Sequence, residues 1–155
     1  MDGERILRAT FDHYTLYGIY LPQGLEKEPH LKYLIKEARQ RRNEKMVCIG
    51  DFNTGSYKLD VEPNIGKVRK IFQSPSFPEF ASAWTDAWRH MYPDGSEFSW
   101  YSTPKDPSKR RGFRIDNCFI SAPLVSRVRT VSYDHRPRET TSLTDHSALI
   151  VEIDI

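Results

Sequence analysis

Three polar clusters in this sequence carry residue types that can take part in hydrolysis. The first pairs Asp51 with Asn53 just after an apolar run, the second is Asp116 within an apolar stretch, and the third is Asp145 followed by His146. Singly, each is weak evidence, because a carboxylate that follows a strand is commonly a turn-former or a helix cap. Asp116 differs, since a carboxylate among apolar residues needs a partner if it is buried.

A hydrogen-bonded couple between Asp116 and His146 would satisfy that need. The carboxylate would fix the orientation of the imidazole and raise its pKa, so that the ring can donate to a phosphate oxygen. Asp51, Asn53 and Asp145 are hard oxygen ligands of the kind that hold Mg²⁺ while several waters stay bound. Together these residues predict metal-assisted phosphoryl chemistry, in which a metal neutralises charge on the phosphate and a carboxylate deprotonates the attacking water.

The elements that must position these residues follow from the spacing of apolar side chains. Residues 5–21 alternate with period two and have a short polar turn in the middle, which predicts a strand, a tight turn and a strand. Residues 26–42 have helical spacing and predict an amphipathic helix. Residues 45–49 predict the short strand that leads to Asp51.

The second half of the chain is predicted to be rich in strands. Apolar residues recur every three or four positions from Phe80 to Met91, which indicates one helix or two short ones. Further strands are expected at residues 97–102, 112–121, 125–133 and 147–155. We therefore expect a single α/β unit built mainly on one antiparallel-rich sheet.

Length and composition limit the class of protein. The 155 residues suffice for one domain with a modest core, since 38% of them are hydrophobic. A formal net charge of +2 is too small to imply a polyanionic partner, so an argument for nucleic acid must rest on where the charges lie. No apolar run is long enough for a membrane span and the first residues lack a secretory signal, so we expect a cytoplasmic protein without a membrane partner. Cys48 and Cys118 lie in apolar runs and are expected to be buried free thiols.

Five short motifs occur in an order that resembles one enzyme superfamily. They are Tyr17-Gly18-Ile19-Tyr20-Leu21-Pro22-Gln23-Gly24, Gly50-Asp51-Phe52-Asn53, Phe98-Ser99-Trp100, Gly112-Phe113-Arg114-Ile115-Asp116 and Thr144-Asp145-His146. Over essentially the whole chain this order resembles the exonuclease/endonuclease/phosphatase superfamily. The first and third motifs favour its DNA-repair branch, which contains exonuclease III and the abasic-site endonucleases. Thr144 stands where that family usually has Ser, which preserves the hydroxyl.

The resemblance implies a role for each matching residue. Asp51 would be the base that orients the attacking water, Asn53 would help to bind the attacked phosphate, and Tyr20 would place its hydroxyl near that phosphate. His146 would contact the scissile phosphate, with Asp116 as its orienting carboxylate.

The same resemblance points to two regions that would contact DNA. Trp100, Phe113 and Ile115 match positions that line a pocket for a flipped-out sugar, although aromatic residues in strands are as often simply core. The loop 105–111 is the densest basic segment and adjoins the strand that carries Asp116. Such a loop is usually solvated surface, but beside the site it would contact the phosphate backbone. The predicted DNA-binding residues are Trp100, Lys105, Lys109, Arg110, Arg111, Phe113 and Arg114.

The fold implied by the resemblance is a four-layered α/β sandwich of the DNase I type, with a mostly antiparallel sheet and flanking helices. The family's upstream motifs, an Asn-bearing first strand and a metal-binding Glu, have no counterpart in residues 1–155. We therefore expect one partial domain that lacks the N-terminal half, with Mg²⁺ or Mn²⁺ held by Asp51, Asn53 and Asp145. The missing half, or self-association of the chain, would cover the apolar face that is left exposed.

The sequence leaves three functions open. The first is magnesium-dependent phosphodiester hydrolysis on DNA, as an abasic-site endonuclease or a 3′-exonuclease of DNA repair, with activity impaired in the isolated chain. The second is a phosphatase of small-molecule or lipid phosphates on the same fold. The third is a noncatalytic module that binds DNA or a partner chain, and the absent Glu is its main support. The basic loop and Trp100 favour DNA.

Overall fold

A central sheet carries the fold in the computed structural model, which describes residues 5–56, 58–62, 72–103, 106, 110–141 and 143–155. The strands are β1 (Ile6–Thr10), β2 (Thr15–Tyr20), β3 (Met46–Asp51), β4 (Thr85–Asp86), β5 (Trp100–Tyr101), β6 (Gly112–Phe113), β7 (Asp116–Ile120), β8 (Val128–Asp134) and β9 (Ala148–Ile153). The helices are α1 (Glu28–Gln40), α2 (Phe77–Ala83), α3 (Ala87–Met91) and α4 (Arg136–Glu139), with 3₁₀ turns at Gly24–Lys27 and Ala122–Arg127. The central sheet has the order β1-β2-β3-β7-β4, in which only β2 and β3 run parallel.

Helix α1 covers one face of the central sheet because its apolar side chains form a single stripe. The buried residues of α1 recur at i, i+3, i+4 and i+7, and they are Leu31, Leu34, Ile35 and Ala38. Helix α2 joins the same core cluster through Phe77 and Phe80, and Trp84, the residue after the helix, belongs to it as well. The predicted helix at 26–42 begins later, at Glu28, because Gly24–Lys27 forms a separate 3₁₀ turn before it.

The opposite face of the central sheet packs against the hairpin of β8 and β9. Val47, Cys118 and Ile120 of the sheet share a core cluster with Leu124 and Val131 of the following segment. The protein is therefore layered as helices, central sheet and second sheet. This arrangement leaves the ends of β2, β3 and β7 together at one edge of the layers.

Several predicted elements differ from the structure. The expected main sheet is the five-stranded central sheet, and in the described residues two further two-stranded sheets, β5–β6 and β8–β9, accompany it. The strand expected at 112–121 is broken into β6 and β7, since Arg114 N–H donates to Asp60 O and Ile115 O accepts from Phe52 N–H. The strand expected at 125–133 starts only at Val128, after a 3₁₀ turn that begins at Ala122.

Other expectations shift in length only. The strand expected at 97–102 is reduced to β5, and the one expected at 147–155 to β9. The apolar repeat from Phe80 to Met91 forms two short helices, α2 and α3, which is one of the two expected outcomes, and β4 between them pairs with β7.

The predicted mixed α/β class, with a sheet flanked by helices, is confirmed. Cys48 and Cys118 are buried and free, as their apolar surroundings predict. Within the described ranges, no helix is both long enough and apolar enough to cross a bilayer.

Candidate active site

The pairing of strand ends brings the first catalytic candidates together. Asp51 is the last residue of β3 and lies opposite Asp116, the first residue of β7, in their antiparallel register. Tyr20 is the last residue of β2 and lies beside Asp51 on the other side. Three residues from distant parts of the sequence therefore meet at one edge of the sheet because three strands end there.

The predicted hydrogen bond between Asp116 and His146 is present, with 2.8 Å between Asp116 Oδ2 and His146 Nδ1. The backbone of His146 is held by an isolated antiparallel β-bridge to Trp100. The next residue, Ser147, donates its N–H to Ser99 O at 2.8 Å. The bond to Asp116 raises the pKa of His146 above 6.5, against the opposing effect of partial burial. The ring is thus oriented and favoured in its protonated, donating form.

Replacing Asp116 with Asn is expected to lower the pKa of His146, because an amide stabilises the imidazolium less than a carboxylate does. A folded-state pKa above 6.5 stabilises the fold below that pH, and this stabilisation is lost as pH rises through the folded-state pKa. NMR titration of the His146 ring measures the shift directly. The thermal unfolding midpoint should fall less steeply with rising pH in the Asp116→Asn variant than in the wild type.

Glu97→Gln is the matched control for this titration, since Glu97 faces a different ring, His135, at 3.3 Å. It should leave the pKa of His146 where it is. An unaltered titration of His146 in the Asp116→Asn variant would contradict the assigned partnership.

Asn53 is fixed by hydrogen bonds on its main chain and its side chain. Its N–H donates to Asp51 Oδ1 at 2.8 Å, and its Nδ2 donates to Leu21 O at 2.8 Å and to Asp51 Oδ2 at 3.0 Å. Both side-chain partners are acceptors only, so they define which end of the amide is nitrogen. Because Nδ2 is engaged twice, Oδ1 is the atom of this amide that suits a ligand, and a cation fits it better than a phosphate oxygen does.

The electrostatics around Asp51 favour a cation. Burial raises the pKa of Asp51 to about 6, and the nearby negative charge of Asp116 acts in the same direction, while the hydrogen bond from Asn53 N–H opposes it. Two carboxylates at one sheet edge repel each other unless a proton or a cation lies close to them. The donor set therefore fits a hard divalent ion.

Two sets of ligands are available for such an ion. Asp51, Asp116 and His146 offer ligand atoms that all lie within 4.8 Å of one another. That closeness partly reflects the bond between Asp116 and His146, which a metal ligated by the same atoms would break. The set predicted from the sequence, in which Asn53 and Asp145 join Asp51, leaves that bond intact, and we favour it for this reason.

A cleft of about 200 Å³ opens over these residues. It is lined by Tyr20, Gln23, Asp51, Asn53, Phe72, Trp100, Phe113, Ile115, Asp145 and His146. Trp100 forms part of the wall, and its Nε1 donates to Asp145 Oδ2 at 2.9 Å, which ties the otherwise exposed carboxylate to the rim. The aromatic residues predicted to line a pocket, Trp100 and Phe113, therefore do lie in the cleft that holds the polar candidates.

The predicted DNA-binding role of Arg114 is wrong. This side chain is 1% exposed, and its guanidinium bonds Asp60 Oδ1 at 2.8 Å and Asp86 Oδ2 at 2.5 Å. The indole of Trp88 also lies 5.0 Å from it. From the sequence, a basic residue next to a basic loop is expected at the surface. The break between β6 and β7 instead turns the Arg114 side chain inward, where it forms structural ion pairs.

The remaining basic residues divide into two groups. Arg110 is exposed and its guanidinium stacks 4.6 Å from the ring centre of Tyr101, while Arg111 is partly buried. Lys105 and Lys109 lie outside the described residues.

Sequence reasoning did not single out three residues that shape the site. Gln23 follows Tyr20 in a motif and could have been noticed there, whereas nothing in the sequence marks Phe72. Lys27 was hidden in an amphipathic segment, yet its Nζ donates to Asn53 O at 2.5 Å. Burial lowers the pKa of Lys27 to about 8, although the charges of Asp51 and Glu28 act to raise it.

Solved structures with the same arrangement of elements identify the fold. An AP endonuclease from Archaeoglobus fulgidus superposes with a TM-score of 0.78 and 21% identity over 99% of this chain. The chain has the same DNase I-like α/β fold as this structure. A 3′ phosphatase, NExo from Neisseria bound to a product DNA hairpin, has the same fold with a TM-score of 0.75 and 22% identity over 97% of this chain. The 3′-5′ exonuclease NExo from Neisseria meningitidis superposes with a TM-score of 0.75 and 24% identity over 97% of this chain.

The chain spans about two thirds of each of these structures, 66% of the first and 65% of the other two. No protein-family model matches the sequence, and no curated protein matches it significantly. The fold is thus established by three-dimensional likeness at low sequence identity.

Proposed function

We propose that this chain carries the phosphate-handling part of a metal-dependent phosphodiesterase that acts on DNA inside the cell, at abasic sites or 3′ ends. One observation carries the proposal, which is the meeting of the oriented Asp116–His146 pair with Asp51 and Asn53 in a cleft that has an aromatic wall. Structural ion pairs seldom combine two carboxylates, an imidazole and an open aromatic cleft, which favours a catalytic interpretation.

The side chains divide the chemistry between them in this proposal. His146, held by Asp116, donates to an oxygen of the attacked phosphate. Asp51, whose pKa of about 6 leaves it largely ionised at neutral pH, orients the attacking water and takes its proton. Tyr20 lines the same cleft and directs its hydroxyl toward the phosphate.

Asp51, Asn53 through Oδ1, and Asp145 are the residues that would hold Mg²⁺ or Mn²⁺. Such an ion neutralises negative charge on the phosphate. Trp100 contributes by donating a hydrogen bond from Nε1 to Asp145 Oδ2, which holds this carboxylate at the rim of the cleft.

DNA is the substrate that the cleft and its surroundings favour. Trp100, Phe113 and Ile115 give the cleft an apolar wall on which a flipped-out sugar could pack. Arg110 and Arg111 lie close to that wall in sequence, and with Lys105 and Lys109 they would contact the phosphate backbone. The solved relatives include an AP endonuclease and an enzyme bound to a DNA hairpin, which supports the same choice.

We also propose that residues 1–155 act as one partial domain. A segment equivalent to the third of the solved structures that this chain does not cover would complete it. Leu7 on β1 is 74% exposed and Ile150 on β9 is 46% exposed. Both lie on strands with one unpaired edge in the described sheets, and such edges and apolar side chains are ordinarily covered. Self-association is the alternative way of covering them.

The chain is expected to bind a duplex that contains an abasic site, and the double variant Arg110→Ala/Arg111→Ala should bind it more weakly. For every phosphate that the variant no longer neutralises, the dependence of log Kd on log salt should flatten by about one unit. Fluorescence anisotropy across a salt titration measures both quantities. The control Arg39→Ala/Arg42→Ala removes the same charge from two exposed residues, one in the last turn of α1 and one just after it.

Identical salt slopes for the wild type and the Arg110/Arg111 variant would mean that these two residues are ordinary solvated surface and do not contact the DNA backbone. Failure of the wild type to bind the duplex at all would count against DNA as the substrate. Direct binding of a small phosphate monoester to the wild type would then favour the phosphatase alternative.

A further inference from the structure

A lysine with no exposed surface lies directly behind the turn that carries Asp51 and Asn53. Lys27 is the last residue of the 3₁₀ turn Gly24–Lys27 and is 0% exposed, although Leu25 in the same turn is largely exposed. Lysine is almost never fully buried without a partner, because removing an ammonium group from water is costly. The proposed chemistry makes no use of this cation.

The ammonium group of Lys27 donates to the main-chain carbonyl of Asn53, with 2.5 Å between the two atoms. Asn53 has a φ of 49°, in the left-handed region that non-glycine residues seldom occupy. Such a conformation persists only when the surroundings hold it from several sides. Here Lys27 holds the carbonyl, Asp51 accepts from the N–H, and Leu21 accepts from the side chain.

These hydrogen bonds form a chain from Lys27 to the catalytic candidates. The carbonyl direction of Asn53 sets the rotation of its backbone, and the N–H of the same residue fixes Asp51 Oδ1. The next residue, Glu28, accepts hydrogen bonds from Ser74 Oγ and Ser76 N–H. Hydrogen bonds of residues 27 and 28 therefore hold both the Asp51–Asn53 turn and the segment that leads into α2.

We propose that Lys27 is a positioning residue that holds the Asp51–Asn53 turn in the geometry needed to bind a divalent cation. The inference rests on the proposed function for its metal, but the hydrogen bond itself can be tested without one. Two possible roles of Lys27 predict opposite changes in metal affinity when the residue is replaced. As a mere positive charge it repels a divalent cation, so its removal would tighten metal binding, whereas removal of a positioning hydrogen bond would weaken it.

Lys27→Met is the decisive variant because methionine has similar length, carries no charge and donates no hydrogen bond. The variant loses the hydrogen bond to Asn53 O but also removes the cost of burying an ammonium group, so these effects oppose each other and the thermal unfolding midpoint should change little. Amide hydrogen exchange at Asn53 should become at least about tenfold faster, while exchange at the buried Leu124 should not change. Binding of Mn²⁺, measured by electron paramagnetic resonance, should weaken by about fivefold or more.

Two further variants separate the alternatives. Lys32→Met removes the same charge from an exposed position on α1 and should alter neither measurement. Lys27→Gln keeps an N–H donor without the charge, so it should preserve part of the protection at Asn53, and it replaces Lys27→Met if that variant does not fold.

Unchanged exchange at Asn53 in Lys27→Met would overturn the proposal, and so would tighter Mn²⁺ binding. A wild type that binds no Mn²⁺ would instead refute the proposed metal chemistry and the metal-binding purpose assigned to Lys27. In that case the exchange at Asn53 would still decide whether Lys27 holds the turn.

Discussion

Replacing Asp51 with Asn is expected to slow cleavage of an abasic-site duplex by about 10³-fold, because the amide can neither accept the proton of the attacking water nor supply negative charge to a metal. The substitution is nearly isosteric, so the sheet edge keeps its shape. The measurement is a single-turnover cleavage rate, taken with the chain alone and with an upstream segment added in trans. Asp154→Asn is the matched control, since Asp154 is an exposed carboxylate that pairs with Arg129 on the β8–β9 hairpin.

The pH dependence of the wild-type rate offers a second check on Asp51. A general base acts when it is deprotonated, so activity should rise as pH increases through about 6 and fall off below it, in line with the raised pKa of this carboxyl. A bound cation favours the ionised form and should move the inflection to lower pH. A rate that is insensitive to the Asp51→Asn change would remove this residue from the chemistry.

Adding in trans the part of the Archaeoglobus fulgidus AP endonuclease that this chain does not cover is expected to raise the cleavage rate by at least about 100-fold. In the family that the sequence resembles, the upstream part contains a Glu metal ligand. Mg²⁺ that is held by only one or two carboxylates tolerates the loss of one poorly. The added segment should also cover Leu7 and Ile150, so sedimentation should report less self-association.

The control for this complementation combines the same segment with the Asp51→Asn variant, which should stay slow. Full activity from residues 1–155 alone, abolished by Asp51→Asn, would mean that another residue of this chain completes the metal site. A dimer that is active without the added segment would favour self-association as the means of completing the fold.

Part of this architecture could be predicted from the sequence because it depends on local pattern. The stripe of Leu31, Leu34, Ile35 and Ala38 predicts α1 by itself, and period-two alternation predicts β1 and β2. A carboxylate in an apolar strand needs a partner, so the bond between Asp116 and a distant imidazole could be anticipated as well. Chemical necessity of this kind is visible in residue types before any coordinates are known.

What the sequence left open was decided by interactions between segments far apart in the chain. Arg114 is buried because two carboxylates from other segments, Asp60 and Asp86, meet its guanidinium, and local composition cannot reveal such a pairing. The break between β6 and β7 follows from hydrogen bonds that Arg114 and Ile115 make outside the strand ladder.

The finer geometry of the site has the same origin. The orientation of the Asn53 amide depends on Leu21 O, thirty-two residues away, and its backbone is held by Lys27 from the 3₁₀ turn that precedes α1. Residue types and spacing therefore determined which groups could do the chemistry. Tertiary packing alone decided which atom of each group faces the cleft, because that choice is made by partners that only the folded chain brings within hydrogen-bond distance.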